Sequence, residues 1–227
     1  MKSRDFWRAK DAMKDMTWRE RFDYIWTYFN VHILITVGLV ALLAAVLSVA
    51  LTPQKQVLFG GTTVNVALTE EGKRYLTDQL FAPMGGTDAN KQEVQLQEGS
   101  LGQTEYGDTT GAEIMTLVGD IAARSLDYVI MDKLSMEYLS RGGWFGDVTE
   151  ELTDAQLELF ADDLYKIKTE EGEIIAVAVD ISELAFIKDC APKAKEVYLV
   201  LPGNTDRVEK TDEFVDWLLA WETNSDK

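Results

Sequence analysis

The sequence predicts an α/β domain with a mostly parallel sheet, preceded by one transmembrane helix. Three observations carry that expectation. Residues 33–51 form an uncharged apolar run. After them, strand-like and helix-like segments alternate, as they do in α/β folds. Capping residues also stand at fixed spacing before several of the helical segments. The chain has 227 residues, so roughly 170 are left for one soluble domain, enough to bury its own core.

The first element is ILITVGLVALLAAVLSVAL, 19 residues from Ile33 to Leu51 without a charge. At about 1.5 Å per residue it matches the roughly 30 Å hydrocarbon core. Its polar content is only Thr36 and Ser48, whereas a buried globular helix would show a polar stripe. Ser48-Val49-Ala50 fits a signal-peptidase site, but the preceding basic region is 32 residues long and contains Trp7, Trp18 and Trp26, unlike the short basic region of a secretory signal. Residues 1–32 carry seven Lys/Arg, and only Lys55 follows the run closely. The positive-inside rule then puts the N-terminus in the cytoplasm and the remainder outside the cell.

Residues 1–32 read as a cytoplasmic amphipathic segment. Trp18, Phe22, Ile25, Trp26 and Phe29 recur at helical spacing, as in a helix lying at the membrane interface. Tyr24, Trp26, Tyr28 and Phe29 would supply its aromatic belt. A helix that binds a membrane partner is the alternative. Residues 52–62 read as a linker, and 63–227 as the extracellular domain.

In that domain TVNVALT (63–69) has strand character, and Glu70 to Phe81 reads as a helix capped by Thr69. QEVQLQ (92–97) alternates with period two. Thr110 and Glu113 have capping-box spacing before a helix with Ile114, Leu117, Val118 and Ile121 on one face. Leu126 to Met131 is almost continuously apolar, as a strand covered on both faces must be. A short helix follows Asp132 through Tyr138 and Leu139 and leaves through Gly142 and Gly143 into Trp144-Phe145. Thr153 and Gln156 open another capped helix to Leu164. YKIKT (165–169), EIIAVAVD (173–180) and EVYLVLP (196–202) read as strands, and Asp206 to Trp221 as a closing amphipathic helix.

Charge and composition narrow the chemistry. The formal net charge is -17; residues 1–32 contribute seven minus five, or +2, leaving -19 for the rest. Such a body repels nucleic acid. The single His32 precedes the apolar run, so a Ser-His-Asp or Cys-His mechanism has no base in the outer domain. Cys190 is alone, which rules out an internal disulfide and reads as a small buried apolar residue.

The loop GSLGQTEYGDTTG has no Lys after its last Gly and does not fit GxGxxG, so it reads as a flexible connection rather than a phosphate cradle. Asp154, Asp162 and Asp163 lack calcium-loop spacing and read as a solvated helix face. No carboxylate pair stands out as a glycosidase couple. No metal, cofactor or enzymatic activity is expected.

The candidate ligand site gathers at strand ends, where α/β folds bind ligands. One strand end supplies Asp132 and, after it, Tyr138, Trp144 and Phe145; a second supplies Asp180 and Ser182. Aromatic faces with a few polar groups suit a small molecule. Trp144 and Phe145 also read as core, and Asp132 as a helix cap.

The order GDIAARSLDYVIMDKLSMEYLSRGGWFGDVTEEL resembles a segment of bacterial extracellular solute-binding proteins of the ABC-import type. EVYLVLPGNTDRVEKTDEFVDWLLAWE resembles that family's closing strand and helix. The resemblance implies a solute-binding-protein-like lobe, with Asp132, Trp144, Phe145 and Asp180 on matching segments. Only 13 residues separate Ser182 from Glu196, where the family has a second lobe, so a single lobe is expected. WRERFDYIWTYFNVHI resembles the membrane-entry stretch of small single-pass proteins of Gram-positive bacteria. The expectation is a membrane-anchored, non-enzymatic, solute-binding-like module outside the cell, with the bilayer and a small-molecule ligand or membrane protein as partners. The alternative is an interaction subunit assembling through its N-terminal and transmembrane helices.

Overall fold

In a computed structural model of the chain, two compact units divide after Gln54. The structure describes residues 17–51, 55–102, 111–169 and 171–221; at 21, 24, 25, 28, 29, 32, 33, 49–51 and 111 it describes the backbone alone. The side chains expected in the aromatic belt at Tyr24, Tyr28 and Phe29, the cap at Thr110 and most of the Gly-rich loop therefore lie outside the described residues.

The first unit contains one continuous helix, α1 (Trp18–Leu51), of 34 residues. Among the described residues no helix is long and apolar enough to cross a membrane. The described side chains of its apolar run cover 34–48, whereas the run in the sequence extends from Ile33 to Leu51. Its assignment as a bilayer span therefore stays with the sequence.

The second unit is an α/β domain around a six-stranded mixed sheet of order β2-β1-β3-β6-β5-β4. The strands are β1 (Gln56–Val64), β2 (Gln92–Gly99), β3 (Tyr128–Asp132), β4 (Leu164–Lys168), β5 (Ile174–Asp180) and β6 (Val197–Val200). The expectation of a mostly parallel sheet needs correction. β1 pairs in parallel with β2 and β3, but β3–β6, β5–β6 and β4–β5 are antiparallel. Parallel neighbours need a long crossover. The connection from β4 to β5 is only a turn, and β6 inserts between β3 and β5 running against both. β1, β2, β3 and β5 thus point one way, and their carboxyl ends lie along one side of the sheet.

Helices cover both faces. They are α2 (Glu70–Arg74), α3 (Gly111–Ala122), α4 (Lys133–Arg141), α5 (Asp154–Leu159), α6 (Ala185–Cys190) and α7 (Val208–Leu219). On one face Tyr128, Phe59 and Phe214 form a mutual cluster, with the Tyr128 ring centroid 5.4 and 4.2 Å from those of Phe59 and Phe214, which lie 5.4 Å from each other. On the other, Leu117 and Ile121 of α3 and Met136 and Leu139 of α4 join Val129, Met131, Val177 and Tyr198. β3 is covered on both sides, which is why its sequence is continuously apolar.

The stretch read as linker is the second correction, because β1 begins inside it at Gln56. Gly60-Gly61 disguises the strand, and tertiary packing demands both glycines. A Cβ on Gly61 would lie 2.0 Å from the Tyr128 ring, and one on Gly60 would lie 2.6 Å from the Ser125 carbonyl oxygen. The strand expected over 63–69 stops at Val64 because Asn65 adopts a left-handed φ of 56°. Its side chain then accepts from Leu101 N–H at 3.0 Å and donates to the Leu101 carbonyl at 3.0 Å, tying down the segment after β2.

Local signals hold elsewhere. Thr69 caps α2, accepting from Gly72 N–H at 3.1 Å, and a π-helical turn (Tyr75–Gln79) continues it. Thr153 and Gln156 form the expected capping box of α5. That helix ends at Leu159, not Leu164, so Asp162 and Asp163 sit in an exposed turn rather than on a helix face. Cys190 is buried in the core, and burial, then the nearby Asp189 and Glu71 carboxylates, push its thiol up to about 12.

Candidate functional site

The candidate residues meet where β3 and β5 end on either side of the start of β6. In register, Asp132 lies opposite Val197 and Asp180 opposite Tyr198. Asp132 caps α4, its carboxylate accepting from Ser135 N–H at 3.2 Å. Asp180 accepts from the Ser182 amide at 2.9 Å and from its hydroxyl at 2.5 Å. The Ser182 oxygen in turn accepts from Val197 N–H at 2.9 Å. These three residues are brought together, but their polar groups hold the strand-end turns. Tyr198 is 4% exposed between them; burial first, and the Asp180 carboxylate second, raise its phenol above the usual range.

The aromatic candidates separate. Phe145 is buried and joins the core on the α4 face. Tyr138, 49% exposed, stands on the solvent side of α4 near Leu134. Trp144, 47% exposed, folds back over Gly142, where an added Cβ would lie 2.3 Å from the indole nitrogen. Gly143, at φ +68°, makes the left-handed turn after α4 that glycine adopts without a Cβ penalty.

Farther along α4 lies a groove of about 640 Å³ between the end of that helix and the β4–β5 hairpin. Glu137, Arg141, Phe145, Tyr165, Ile167 and Ile175 line much of it. Tyr165 donates from its hydroxyl to Glu137 Oε1 at 2.9 Å and meets Tyr198 edge-on at 5.5 Å. Burial, then that hydrogen bond to a carboxylate, raise the Tyr165 phenol. At the head of α4, Lys133 Nζ lies 2.7 Å from Glu196 Oε1, and this bond raises the lysine. The groove sets Phe145, Ile167 and Ile175 among the charged groups of Glu137, Arg141, Lys168 and Glu171, a mixed lining suited to a ligand with both apolar and charged parts.

Of the six candidates only Phe145 lines this groove. Glu137, Arg141 and Tyr165 had no signal in the sequence, because two separate elements, α4 and β4, bring them together. A second constellation also escaped the sequence. Asp127, fully buried, accepts from Gly60 N–H at 2.7 Å, the Thr205 hydroxyl at 2.5 Å and Arg207 Nε at 2.8 Å. Its visible trace was an Asp just before an apolar strand and an Arg just before the last helix.

Comparisons with family models, with curated proteins and with solved structures find no match to this chain.

Proposed function

We propose that the chain is a non-enzymatic recognition module, anchored in a bacterial cell membrane by Ile33–Leu51, with a single solute-binding-protein-like lobe outside the cell. The groove between α4 and the β4–β5 hairpin carries this reading. It runs along the outer hairpin from Tyr165 toward the turn, where Phe145, Ile167 and Ile175 set apolar surface beside the charged groups of Glu137, Arg141, Lys168 and Glu171, and a few placed polar groups fix the orientation of a bound molecule. The charge asymmetry around the apolar run supports the outward orientation.

A thermal-shift screen of the detergent-solubilised chain against sugars, amino acids and short peptides tests the binding. A ligand that binds only the folded state raises Tm by mass action. The shift should vanish in Ile167→Glu, and a shift that survives this change would place binding elsewhere. Protease added to intact cells tests topology, with digestion expected after Lys55 and protection before Asn30.

A second reading, an interaction subunit, is favoured by one observation in α1. Trp18, Phe22 and Trp26 are exposed on one helical stripe, and the rings of Phe22 and Trp26 stack 6.4 Å apart. Cross-linking from Phe22 to a membrane protein, rather than to lipid, would support it.

A further inference from the structure

The recognition reading leaves open what the groove takes, and the edge of the sheet beside it narrows the answer. β4 is an outer strand that pairs only with β5, so half of its backbone N–H and C=O groups point outward. Along it, Tyr165 and Ile167 pack on the groove side, Lys166 is exposed, and Lys168 is exposed at the groove's rim. Neither lysine, nor Arg141 in the groove lining, has an ion-pair partner among the described residues.

Three unpaired cations therefore surround one edge of a region whose net charge is -19. Glu171 and Glu173 lie in the hairpin turn, past the end of the strand; Glu171 and Glu137 also line the groove, where Glu137 is engaged by the Tyr165 hydroxyl, so the uncompensated charge lies along β4 itself, at Lys166 and Lys168. The opposite edge, β2, is different in kind: its sequence QEVQLQEG carries Glu93 and Glu98 and no lysine.

Lysines guard natural sheet edges against unwanted strands, and β4 has two; the extra residue of its pairing, Val177, lies on β5 opposite the step from Tyr165 to Lys166. Such a guard is selective. Strands that are basic or neutral must desolvate the lysines or meet like charge, whereas an acidic strand gains opposite-charge cross-strand pairs. We infer that β4 accepts an extended peptide strand of alternating acidic and apolar residues, its acidic side chains beside Lys166 and Lys168 and its apolar ones beside Tyr165 and Ile167. Main-chain hydrogen bonds supply affinity and the alternating side chains supply selectivity. The inference rests on the groove reading and names the ligand class of that site.

The test uses the full chain in lipid nanodiscs and three fluorescent peptides of about eight residues, a common strand length. One alternates Glu and Val, one alternates Lys and Val, and the third is the Glu-Val peptide with alternate amides N-methylated. The Glu-Val peptide should bind at least about tenfold more tightly than the Lys-Val one. Its affinity should fall as salt rises, it should slow hydrogen exchange at β4 amides, and N-methylation should abolish binding. Lys166→Glu combined with Lys168→Glu should reverse the preference without changing the melting of the free chain.

Equal binding of both peptides, or binding without protection of β4, would overturn the inference. So would self-association of the unliganded chain that itself protects β4, because a second copy would then be the occupant. A small molecule whose thermal shift is lost in Ile167→Glu, with no peptide binding, would overturn the strand inference and leave the groove reading standing. Absence of any response to Ile167→Glu would remove both.

Discussion

Asp127 and Asp132 bracket the same strand, β3, and their carboxylates live under opposite conditions. Asp127 is fully buried and receives three donors, from Gly60, Thr205 and Arg207, while the Arg207 guanidinium also donates to the carbonyls of Arg124 and Ser125. Asp132 is half-buried and caps one helix. An ionised group removed from water needs a complete set of partners, and water completes the set for one that stays near it. The beginning of β3 is thus closed by the fold, and its end holds a helix cap near water.

The largest effect should come from breaking the closed end. Asp127→Ala leaves the Arg207 guanidinium, 25% exposed at its side chain, without its carboxylate and the Gly60 N–H without its acceptor. A loss of about 3–5 kcal/mol follows for a broken buried pair, read by urea unfolding with tryptophan fluorescence. A loss below about 1 kcal/mol, the range of exposed pairs, would show that the two ends of β3 are energetically alike.

Next is Gly61→Ala, which drives a methyl group into the Tyr128 ring. Overpacking of this kind costs about 1–3 kcal/mol, and the same unfolding experiment measures it. Asp132→Ala should cost about 0.5–2 kcal/mol as a lost cap, and Asp132→Asn much less, since Asn caps as well as Asp. Peptide or solute binding lost in Asp132→Asn at unchanged stability would move Asp132 from the scaffold to the site.

The smallest effect is electrostatic and lies away from both ends. Asp212 on α7 has its carboxyl raised above the usual range, by burial first and then by Asp216 and Glu209. A raised carboxyl binds more protons folded than unfolded, so its ionisation weakens the fold as pH rises through the folded value. Asp212→Asn should therefore stabilise by at most about 0.5 kcal/mol at pH 7, within the range of surface changes. The gain should disappear as pH falls below the ordinary carboxyl range, where wild type is protonated too. Paired melts at pH 7 and about pH 3 read the sign.

Much of the local structure was legible in the chain. Thr69, Asp132 and Thr153 each cap the helix that their spacing announced. The period-two run at 92–97 is a strand. The β1 strand was hidden because glycine carries no pattern, and its two glycines are explained only by Ser125 and Tyr128, more than sixty positions away. The candidate site was legible in part. Asp132, Asp180 and Ser182 do converge, because each ends or follows a strand and strand ends are local features. The groove was not legible, because Glu137, Tyr165 and Ile175 belong to three elements whose adjacency depends on β6 inserting between β3 and β5.

By itself the sequence determined where most of the helices and strands lie, though not β1, together with the acidity of the body and the apolar run before it, since periodicity, capping and charge are properties of neighbours along the chain. Only the tertiary structure decided the direction of β4 and β6, the carboxylate that is buried and the one left near water, and the groove that opens at the sheet edge. The physical reason is that burial and pairing are set by contacts between residues far apart in sequence, and a single chain read in order holds no record of which distant segments close on one another.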